Sequence, residues 1–487
     1  MKVLLVNAAT DNVTQKPVIP LGLLSIATCL AEHGHTVRIF DRTVERGGRG
    51  KYLRSFAPDI VGISAITFGS FPDAMKLTAR WRKAGVPVVW GGQLPSLVPE
   101  IVLKDSGADF VVIGDGEFAL LELLDALASG NDVKDIAGLA YMSGGRVEFT
   151  RVRGQAPLDD FPVIDWSYVD PRKYFVRNVS CARTLHVYSS KGCPGQCTYC
   201  YSPCFCKGTW RARPLEHVVA ELRALSETAG IDGVYFADDL ISPNRGYMER
   251  FCAALKNSGL GLLWGCNLRA DTCTRDELQM MYDAGCRWIL FGIESGTPER
   301  QKMIKKNLNL AKTADTFRWC AEIGIQTTAT FIVGYPGETV EEMRASIGYV
   351  LGLKPDISAC GMFGLIPKSE LFETLVSEGK VEPPQSFADW NRLKWLDKLG
   401  KNLSQVPDID LKVVVNRFFY GVITSKSGKD GADSRLWAKR LVGQALSFLR
   451  MGNARAVKLF FLSAAQFLQI VFYALCYPKI LKKYGLR

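Results

Sequence analysis

The chain has 487 residues, of which 47% are hydrophobic, and it carries a formal net charge of +11. This length favours two or three domains, and the hydrophobic fraction is ample for large packed cores. Fourteen cysteines in a chain of this size do not form the pattern of a small secreted disulfide framework. The first residues lead directly into a strand pattern rather than a signal peptide, so the expected location is the reducing cytoplasm.

Residues 1–150 alternate between short apolar strands and helical segments. The predicted strands are 3–6, 36–40, 60–64, 87–90 and 110–113, and a helical pattern covers 21–33. This alternation predicts an α/β domain with a doubly wound, Rossmann-like parallel sheet. Such sheets bind their ligands at the carboxyl ends of the strands.

Candidate ligand-binding loops follow three of these predicted strands, and two of the loops contain glycine. Glycine allows backbone amides to approach a large flat ligand or a phosphate group closely. The candidate ligand-binding residues of these loops are Ser64, Thr67, Gly91, Gly92, Gln93, Gly114, Gly116 and Glu117. Taken alone, the loops fit a ligand site and ordinary strand-end turns equally well.

The order and spacing of these segments over residues 20–117 resemble the cobalamin-binding domain that precedes many radical S-adenosylmethionine (radical SAM) domains. The resemblance implies that the loop residues bind cobalamin. Many such domains carry an Asp-x-His-x-x-Gly motif whose histidine ligates cobalt, and this sequence lacks it. The resemblance therefore implies cobalt that is bound without a protein imidazole.

A linker rich in Pro, Asp and Tyr, 151–180, leads to a second alternating domain, 181–375. The predicted strands begin at His186 and continue with 233–237, 262–266, 288–291, 327–333 and 357–363. The predicted helices between them are 215–229, 247–258, 275–284, 310–323 and 340–351. Six βα units predict a partial (β/α)6 TIM-type barrel with its site at the carboxyl ends of the strands.

Three cysteines follow the first strand of this barrel with the spacing Cys-x3-Cys-x2-Cys: Cys193, Cys197 and Cys200. Three thiols on one loop can bind three corners of a cubane iron–sulfur cluster, and without a fourth local ligand one iron stays open to a small molecule. Pro194 and Gly195 allow the loop to curl. The alternatives are a zinc site without its fourth ligand and packed core thiols.

The cysteine loop, which also contains Tyr199, resembles the Cys-x3-Cys-x-aromatic-Cys signature of the radical SAM superfamily. In that family the open iron binds the methionine part of SAM, and one electron cleaves SAM to methionine and a 5′-deoxyadenosyl radical. The resemblance covers residues 186–370. It implies that SAM is bound by residues after successive strands: Tyr199, Asp238, Asp239, Arg269, Glu294, Ser295, Gly334 and Glu338.

Each polar member of this set has a plausible role and an ordinary alternative. The carboxylates could accept hydrogen bonds from the SAM ammonium group or ribose, and Arg269 could pair with the SAM carboxylate. Each residue taken alone could equally be an ordinary polar side chain at a strand end.

Residues 376–430 predict a helical C-terminal extension, with a helical pattern over 390–420. The segment 431–487 differs, because from Ser434 onward it holds ten basic residues and no Asp or Glu. A basic amphipathic helix is predicted over 435–450, and an uncharged stretch covers 459–478. We weigh anchoring on a membrane surface, packing on the enzyme's own core and spanning of the bilayer as roles of this tail, and we expect no nucleic-acid binding.

The resemblance as a whole implies a cobalamin-dependent radical SAM enzyme that transfers a methyl group to an unactivated carbon of an apolar or natural-product substrate. The expected cofactors are a [4Fe–4S] cluster, SAM and cobalamin. The expected partners are a small-molecule or lipid substrate and an electron donor such as flavodoxin or ferredoxin. Catalytic residues that contact the substrate are not identified by the sequence. The alternatives are a radical SAM oxidative cyclase or lipid-modifying enzyme with bound cobalamin, and a non-enzymatic sensor of cobalamin and cluster.

Overall fold

A seven-stranded sheet with the strand order β2-β1-β3-β4-β5-β6-β7 organises the N-terminal part of the protein. The computed structural model describes residues 1–10, 17–45, 56–178, 180–393, 401–424, 468–469, 471–473 and 476–486. The strands are β1 Lys2–Asn7, β2 Thr36–Asp41, β3 Ile60–Ser64, β4 Val88–Gly91, β5 Phe110–Val112, β6 Leu139–Ser143 and β7 Arg146–Phe149. The five predicted strands are confirmed and run parallel.

Helices cover both faces of this sheet, as expected for a doubly wound domain. They are Leu21–Glu32, Phe71–Lys83, Gln93–Leu97, Pro99–Ser106 and Glu117–Ser129. Val3 and Leu5 of β1 belong to one core cluster, and Leu4 and Val6 belong to the cluster on the opposite face. Strands that are buried on both faces explain the continuous apolar runs of the sequence.

The hairpin of β6 and β7, which pairs antiparallel with β5, was not predicted. Most residues of β7 are exposed, so its apolar signal is weak. The sequence nevertheless holds a hairpin signal at Gly144 and Gly145, whose φ angles are 55° and 78°. Two consecutive residues with positive φ are typical of the tight turns that join antiparallel strands.

The second sheet has six parallel strands in the order β15-β14-β13-β12-β11-β8, and this confirms the expected partial barrel. Its strands are β8 Thr184–Val187, β11 Gly233–Phe236, β12 Leu263–Leu268, β13 Cys286–Glu294, β14 Gln326–Val333 and β15 Ile357–Met362. A separate antiparallel pair consists of β9 Ser190–Gly192 and β10 Trp210–Ala212.

Helices follow the barrel strands, and their ends carry recognisable capping residues. They are Leu215–Ala229, Arg245–Asn257, Arg275–Asp283, Pro298–Met303, Leu310–Ile323 and Val340–Gly352. Thr274 with Glu277, and Thr339 with Glu342, form capping boxes at two of the amino ends. A capping box satisfies two otherwise unpaired backbone donors, which fixes where these helices start.

The helical extension is interrupted, so the prediction of a helical pattern over 390–420 is wrong in its middle. The helices here are Glu370–Ser377, Phe387–Arg392 and Asp408–Thr424, and 401–407 form an irregular turn. Asn402 Nδ2 donates to the carbonyl oxygen of Val406 at 2.7 Å. Asn side chains compete with helical hydrogen bonds in this way, and Pro407 has no backbone N–H to continue a helix.

Most of the tail, including the predicted amphipathic helix over 435–450, lies outside the described residues. Its described end, the helix Pro478–Lys483, packs on the barrel. Lys483 Nζ lies 2.6 Å from Asp410 Oδ2, and Arg344 Nε donates to the carbonyl oxygen of Lys483 at 2.8 Å. Among the described residues, no helix combines the length and the hydropathy that a membrane crossing requires.

Candidate active site

The three predicted cluster ligands lie on the loop between β9 and the short helix Ser202–Phe205. All three cysteines are partly exposed and free of disulfides. The backbone N–H of Gly195 donates to Cys193 Sγ at 3.4 Å, and the backbone N–H of Ser202 donates to Cys200 Sγ at 3.4 Å. Hydrogen bonds of this kind to sulfur tune iron–sulfur clusters.

The space around Gly195 shows how closely two of the thiols approach each other. A Cβ atom at this position would lie 3.3 Å from Cys193 Sγ and 3.9 Å from Cys197 Sγ. In the described part of the chain, no group of three His, Cys, Asp or Glu side chains converges on one metal-ion position. The thiolates of a cubane each bind a different iron, so this donor set fits a cluster better than a single zinc ion.

Burial raises the pKa of the Cys200 thiol to about 12. A thiol must lose its proton to become a metal ligand. A thiol with a pKa this high is protonated at neutral pH.

Asp238, which was predicted to bind SAM, holds the start of the cysteine loop. Its carboxylate accepts hydrogen bonds from the backbone N–H of Ser189 at 3.1 Å, from Ser189 Oγ at 3.0 Å and from Ser190 Oγ. Burial raises the pKa of Asp238 to about 6, although these hydrogen bonds act in the opposite direction. The side chain thus joins the end of β11 to β9, which leads into the cysteines.

Asp239, the second acidic residue after β11, faces the space between the two domains. It accepts a hydrogen bond from the Tyr201 hydroxyl, and Cys206 Sγ lies 3.9 Å from its Oδ2. Burial raises the pKa of its carboxyl above the usual value. Asp239 and Asp238 both line a cavity large enough for a ligand.

Two further predicted SAM residues, Arg269 and Glu294, are paired within the protein. Arg269 Nη2 lies 3.0 Å from Asp271 Oδ2 and also donates to the carbonyl oxygen of Lys306 at 3.0 Å. Lys306 Nζ lies 3.3 Å from Glu294 Oε1. The chain of contacts links the carboxyl ends of β12 and β13 and holds both side chains beside the barrel opening.

Glu294 is placed by an irregular strand end. Its φ is +65°, and the register between β13 and β14 shifts between Gly292 and Glu294. A Cβ atom at Gly292 would overlap the carboxylate of Glu294. Positive φ at a residue other than glycine is uncommon and is concentrated at functional sites.

The turn after β14 places an aromatic wall next to the cysteines. Glu338 accepts a hydrogen bond from the backbone N–H of Gly334 and one from that of Tyr335 at 3.2 Å. Tyr335 meets Tyr199 edge to face, with ring centroids 5.9 Å apart. The Tyr335 hydroxyl is buried and has no partner among the described residues. A buried polar atom without a partner beside the cysteine loop fits a bound ligand with hydrogen-bonding groups.

Ser295 is the predicted SAM residue that the structure places away from the opening. It is 1% exposed, and its Oγ lies 3.0 Å from Ser346 Oγ on the helix Val340–Gly352. This contact packs the strand end against the helix layer.

A cavity of about 310 Å³ lies between the carboxyl ends of the N-terminal sheet and the cluster hairpin. Seven of the eight predicted cobalamin-binding residues line it: Ser64, Gly91, Gly92, Gln93, Gly114, Gly116 and Glu117. Its opposite wall is formed by residues near the cysteines: Lys191, Tyr201, Cys206 and Asp239. Thr67 is outside this lining; it is exposed, and its carbonyl oxygen accepts a hydrogen bond from Ser70 Oγ at 2.7 Å.

Gly92 and Gly116 contribute only backbone to the cavity wall, which leaves room for a large ligand. Gly92 has φ 105° and ψ −179°, a conformation that is essentially restricted to glycine. A Cβ atom at Gly116 would lie 2.9 Å from Ile26 Cδ1. Ligand cavities of a few hundred Å³ lined mainly by apolar groups are typical of cofactor sites, and this one fits part of a corrin cofactor.

Comparison with known proteins finds a family match for each of the two domains. The radical SAM superfamily matches residues 187–350, and the B12 binding domain matches residues 9–124. An uncharacterized methyltransferase of Pyrococcus horikoshii is 30% identical over 417 residues, which cover 82% of this chain and 88% of that protein. The chain belongs to the cobalamin-binding radical SAM family. Its cofactors are therefore a [4Fe–4S] cluster, SAM and cobalamin.

Two other known proteins also match most of this chain. The cytidylyl-2-hydroxyethylphosphonate methyltransferase of Streptomyces wedmorensis is 28% identical, with 76% of this chain and 80% of that protein covered. The structure of the radical S-adenosylmethionine methyltransferase TsrM from Kitasatospora setae, with cobalamin and a [4Fe–4S] cluster bound, superimposes with a TM-score of 0.69. It is 20% identical and covers 90% of this chain and 97% of that chain, so the likeness shows a shared fold.

Sequence reasoning missed an ion network that joins the two cofactor regions of this radical SAM protein. Lys191 Nζ lies 3.0 Å from Asp115 Oδ1 and 3.3 Å from Glu117 Oε1, and Arg211 Nη2 lies 2.8 Å from Asp115 Oδ2. Burial alone would lower the pKa of Lys191, but Glu117 and Asp115 outweigh burial and raise it. Burial raises the pKa of Asp115, yet Lys191 and Arg211 together bring it below its usual value.

The sequence contains only a weak signal for this network. Asp115 stands between two glycines that were themselves predicted to bind cobalamin, and Lys191 stands two positions before Cys193. The two charged residues are 76 positions apart. Only the way in which the domains pack brings them together.

Proposed function

We propose that this radical SAM enzyme transfers a methyl group to an unactivated carbon of a small apolar or natural-product substrate. The observation that carries the proposal is the shared cavity, whose lining includes Gly92 and Gly116 on one side and Tyr201 and Asp239 on the other. The names of the two relatives above support methyl transfer as the reaction. When bound, the cofactors supply a radical that removes hydrogen from carbon and a corrin that carries methyl.

The part of the chain itself is to bind these groups and keep them in line. We propose that Cys193, Cys197 and Cys200 bind the cluster and that the seven cavity residues bind cobalamin. Asp238 keeps β9 in place through Ser189 and Ser190, so that the cysteine loop keeps a fixed position relative to the barrel. Positioning of this kind is the main contribution of a protein to cofactor chemistry.

For SAM we propose two kinds of contact. Tyr199 and Tyr335 form an aromatic surface beside the cysteines, with the unpartnered Tyr335 hydroxyl available as a hydrogen-bonding group. Glu294, Arg269 and Asp239 supply charges at the rim that can pair with the ribose, carboxylate and ammonium groups. Glu338 and Ser295 act indirectly in this proposal, because both are 1% exposed and bind neighbouring protein groups.

The aromatic wall also restricts the access of water. Tyr335 is fully buried, and it also packs against Phe363 with ring centroids 5.3 Å apart. Radical reactions need such shielding because reactive species otherwise attack solvent or protein groups.

The reaction can be tested without knowledge of the substrate. Protein reconstituted anaerobically with cluster and cobalamin is incubated with a low-potential reductant and SAM that carries a CD3 group, and the corrinoid and nucleoside fractions are analysed by mass spectrometry. A methyltransferase places deuterium in the corrinoid fraction and produces 5′-deoxyadenosine. Protein without cobalamin serves as the control. An oxidative cyclase would give 5′-deoxyadenosine without deuterated corrinoid, and a sensor would give neither.

We further propose that a donor such as flavodoxin or ferredoxin supplies the electron that reduces the cluster.

We also propose that residues 431–487 bind an anionic membrane surface on the cytoplasmic side. The lack of acidic residues after Ser434 supports membrane binding, as do Leu468 and Phe472, which are 64% and 50% exposed. Vesicles that contain anionic lipid should carry the full chain, but not a chain cut after Asp433, to the top of a flotation gradient. Equal flotation of both forms would contradict this proposal.

A further inference from the structure

We propose that Lys191 is a positioning residue that couples the cobalamin loop to the cluster hairpin, so that cobalamin and cluster each strengthen the binding of the other. The inference rests on the proposed function, because it assigns Gly114–Glu117 to cobalamin and Cys193 to the cluster. It concerns the ion network of Lys191, Asp115, Glu117 and Arg211.

The network connects one loop to both strands of one hairpin. Asp115 lies in the loop after β5, and Glu117 begins the helix Glu117–Ser129 directly after that loop. Lys191 lies on β9 and Arg211 on β10, and Arg211 pairs directly with Lys191 in the hairpin register. Asp115 thus receives one cation from each strand, at 3.0 Å from Lys191 and 2.8 Å from Arg211.

The network is largely removed from water. The side chains of Lys191, Asp115, Arg211 and Glu117 are 24%, 16%, 15% and 2% exposed. Burial of charges in ion pairs carries a desolvation penalty that often equals or exceeds their attraction, so such a group adds little to stability over apolar packing. A role in fixing the relative position of two elements explains it better.

Both ends of the network are held by further contacts. Glu117 Oε1 accepts a hydrogen bond from Ser25 Oγ at 2.6 Å, on a helix that also lines the cavity. The ammonium group of Lys191 lies 4.6 Å from the ring centroid of Phe161, in the segment between the domains. The ammonium therefore has one well-defined position between the cobalamin loop and the hairpin.

The connection from Lys191 to the first cluster ligand is short and stiff. One residue, Gly192, separates Lys191 from Cys193, and its φ is +91°. A Cβ atom at Gly192 would overlap the carbonyl oxygen of Thr209, so the hairpin backbone is tightly packed here. A displacement of Lys191 is therefore transmitted to Cys193 rather than absorbed between them.

A ligand in the shared cavity contacts both sides of this network, since Gly114, Gly116 and Lys191 all line that cavity. Cobalamin would contact the loop, the loop carboxylates hold Lys191, and Lys191 would hold the cysteine loop in the position that iron requires. By thermodynamic linkage the cluster then raises cobalamin affinity by the same factor as cobalamin raises cluster affinity.

A linkage cycle on the full chain tests this inference. The Kd of hydroxocobalamin is measured for protein with a reconstituted cluster and for protein stripped of iron by a chelator. We expect the cluster to lower the Kd of the unmodified protein by a factor between about 5 and 150, the usual range of coupling between two sites. In Lys191→Met the two Kd values should agree within about twofold, and Lys191→Arg should keep most of the coupling.

Arg82→Met is the matched control. Arg82 pairs with Asp109 at the amino end of β5, so the variant also removes a cation from an ion pair, but at the end of the strand far from the cavity. It should keep the coupling of the unmodified protein. Asp115→Asn provides a second way to break the network if Lys191→Met does not fold, and it should likewise reduce the coupling.

A second readout does not depend on affinity. The electron paramagnetic resonance (EPR) spectrum of the reduced cluster should change when cobalamin is added to the unmodified protein and to Arg82→Met, but not when it is added to Lys191→Met. Coupling in Lys191→Met equal to that in Arg82→Met would overturn the inference, as would no coupling in the unmodified protein. Neither result contradicts the proposed function. That proposal fails instead if the protein binds no cobalamin at all.

Discussion

The carboxyl ends of the parallel strands present different surfaces in the two sheets. At the N-terminal sheet, loops with Gly92 and Gly116 leave a cavity of about 310 Å³. At the barrel, polar side chains such as Asp238 and Glu338 are already bonded to neighbouring backbone and hydroxyl groups. The strand-end glycines therefore border open space, whereas the carboxylates of Asp238 and Glu338 hold neighbouring backbone in place.

Cys197→Ala should have the largest effect, because it removes one corner of the predicted cluster. We expect loss of bound iron and of 5′-deoxyadenosine formation from SAM, measured by iron analysis and chromatography. Cys204→Ala is the control: its thiol lies in the next helix and donates to the carbonyl oxygen of Lys368 at 2.6 Å. Iron content in Cys197→Ala equal to that in Cys204→Ala would contradict the prediction that the three cysteines bind the cluster.

Glu338→Gln should change how stability depends on pH in protein without SAM. Burial raises the pKa of Glu338 from 4.5 to about 7. The folded state then binds the proton more tightly than the unfolded state, so this group's stabilising contribution is complete below about pH 4.5 and is lost as the pH rises through about 7. The loss amounts to roughly 3 kcal/mol.

Gln keeps an oxygen that can accept the hydrogen bonds of Gly334 and Tyr335 but cannot ionise. The free energy of unfolding should therefore fall less between about pH 5 and about pH 8 in Glu338→Gln than in the unmodified protein. Denaturant titration at each pH measures this fall. The same fall in both proteins would show that Glu338 titrates normally.

Gly92→Ala tests the glycine-lined side of the comparison. At φ 105° and ψ −179° an alanine is strained, which should lower the free energy of unfolding by about 2 kcal/mol and weaken cobalamin binding at least about tenfold. Gly85→Ala is the matched control. Gly85 also has a positive φ, 74°, but it follows the helix Phe71–Lys83 away from the cavity. It should lose stability and keep its cobalamin affinity, and an equal loss of affinity in both would argue against the cavity.

Ser190→Ala should have the smallest effect and sharpens the role of Asp238. It removes one of the hydrogen bonds to this carboxylate, which is worth about 1 kcal/mol of folding free energy. If Asp238 only holds β9, the melting temperature should fall slightly while the Kd of SAM on cluster-loaded protein stays the same. A clearly altered SAM affinity would contradict a role of Asp238 that is limited to holding β9.

The sequence predicted the features that are local or periodic. The five parallel strands of the first sheet and the six of the second follow from apolar runs between turns, and the cysteine spacing defines its loop without any tertiary information. The loops after three of the first-sheet strands supply seven residues of the cavity lining, four of which are glycines.

Features that depend on how distant segments meet were missed or assigned a different role. In the sequence, Asp238 looks like an acidic residue without partners. It accepts hydrogen bonds from Ser189 and Ser190 only because β9 lies near the end of β11. The pairing of Lys191 with Asp115 needs the relative placement of two domains. The turn at 401–407 depends on the side chain of Asn402, whose local hydrogen bond outweighs helical periodicity.

The central claim is that the loop of Cys193, Cys197 and Cys200 holds a cubane cluster with one iron open to SAM. The most direct measurement is the EPR spectrum of the anaerobically reconstituted, reduced protein before and after addition of SAM. The account predicts a [4Fe–4S] signal that changes when SAM binds. The absence of such a signal, or a signal that SAM leaves unchanged, would contradict it.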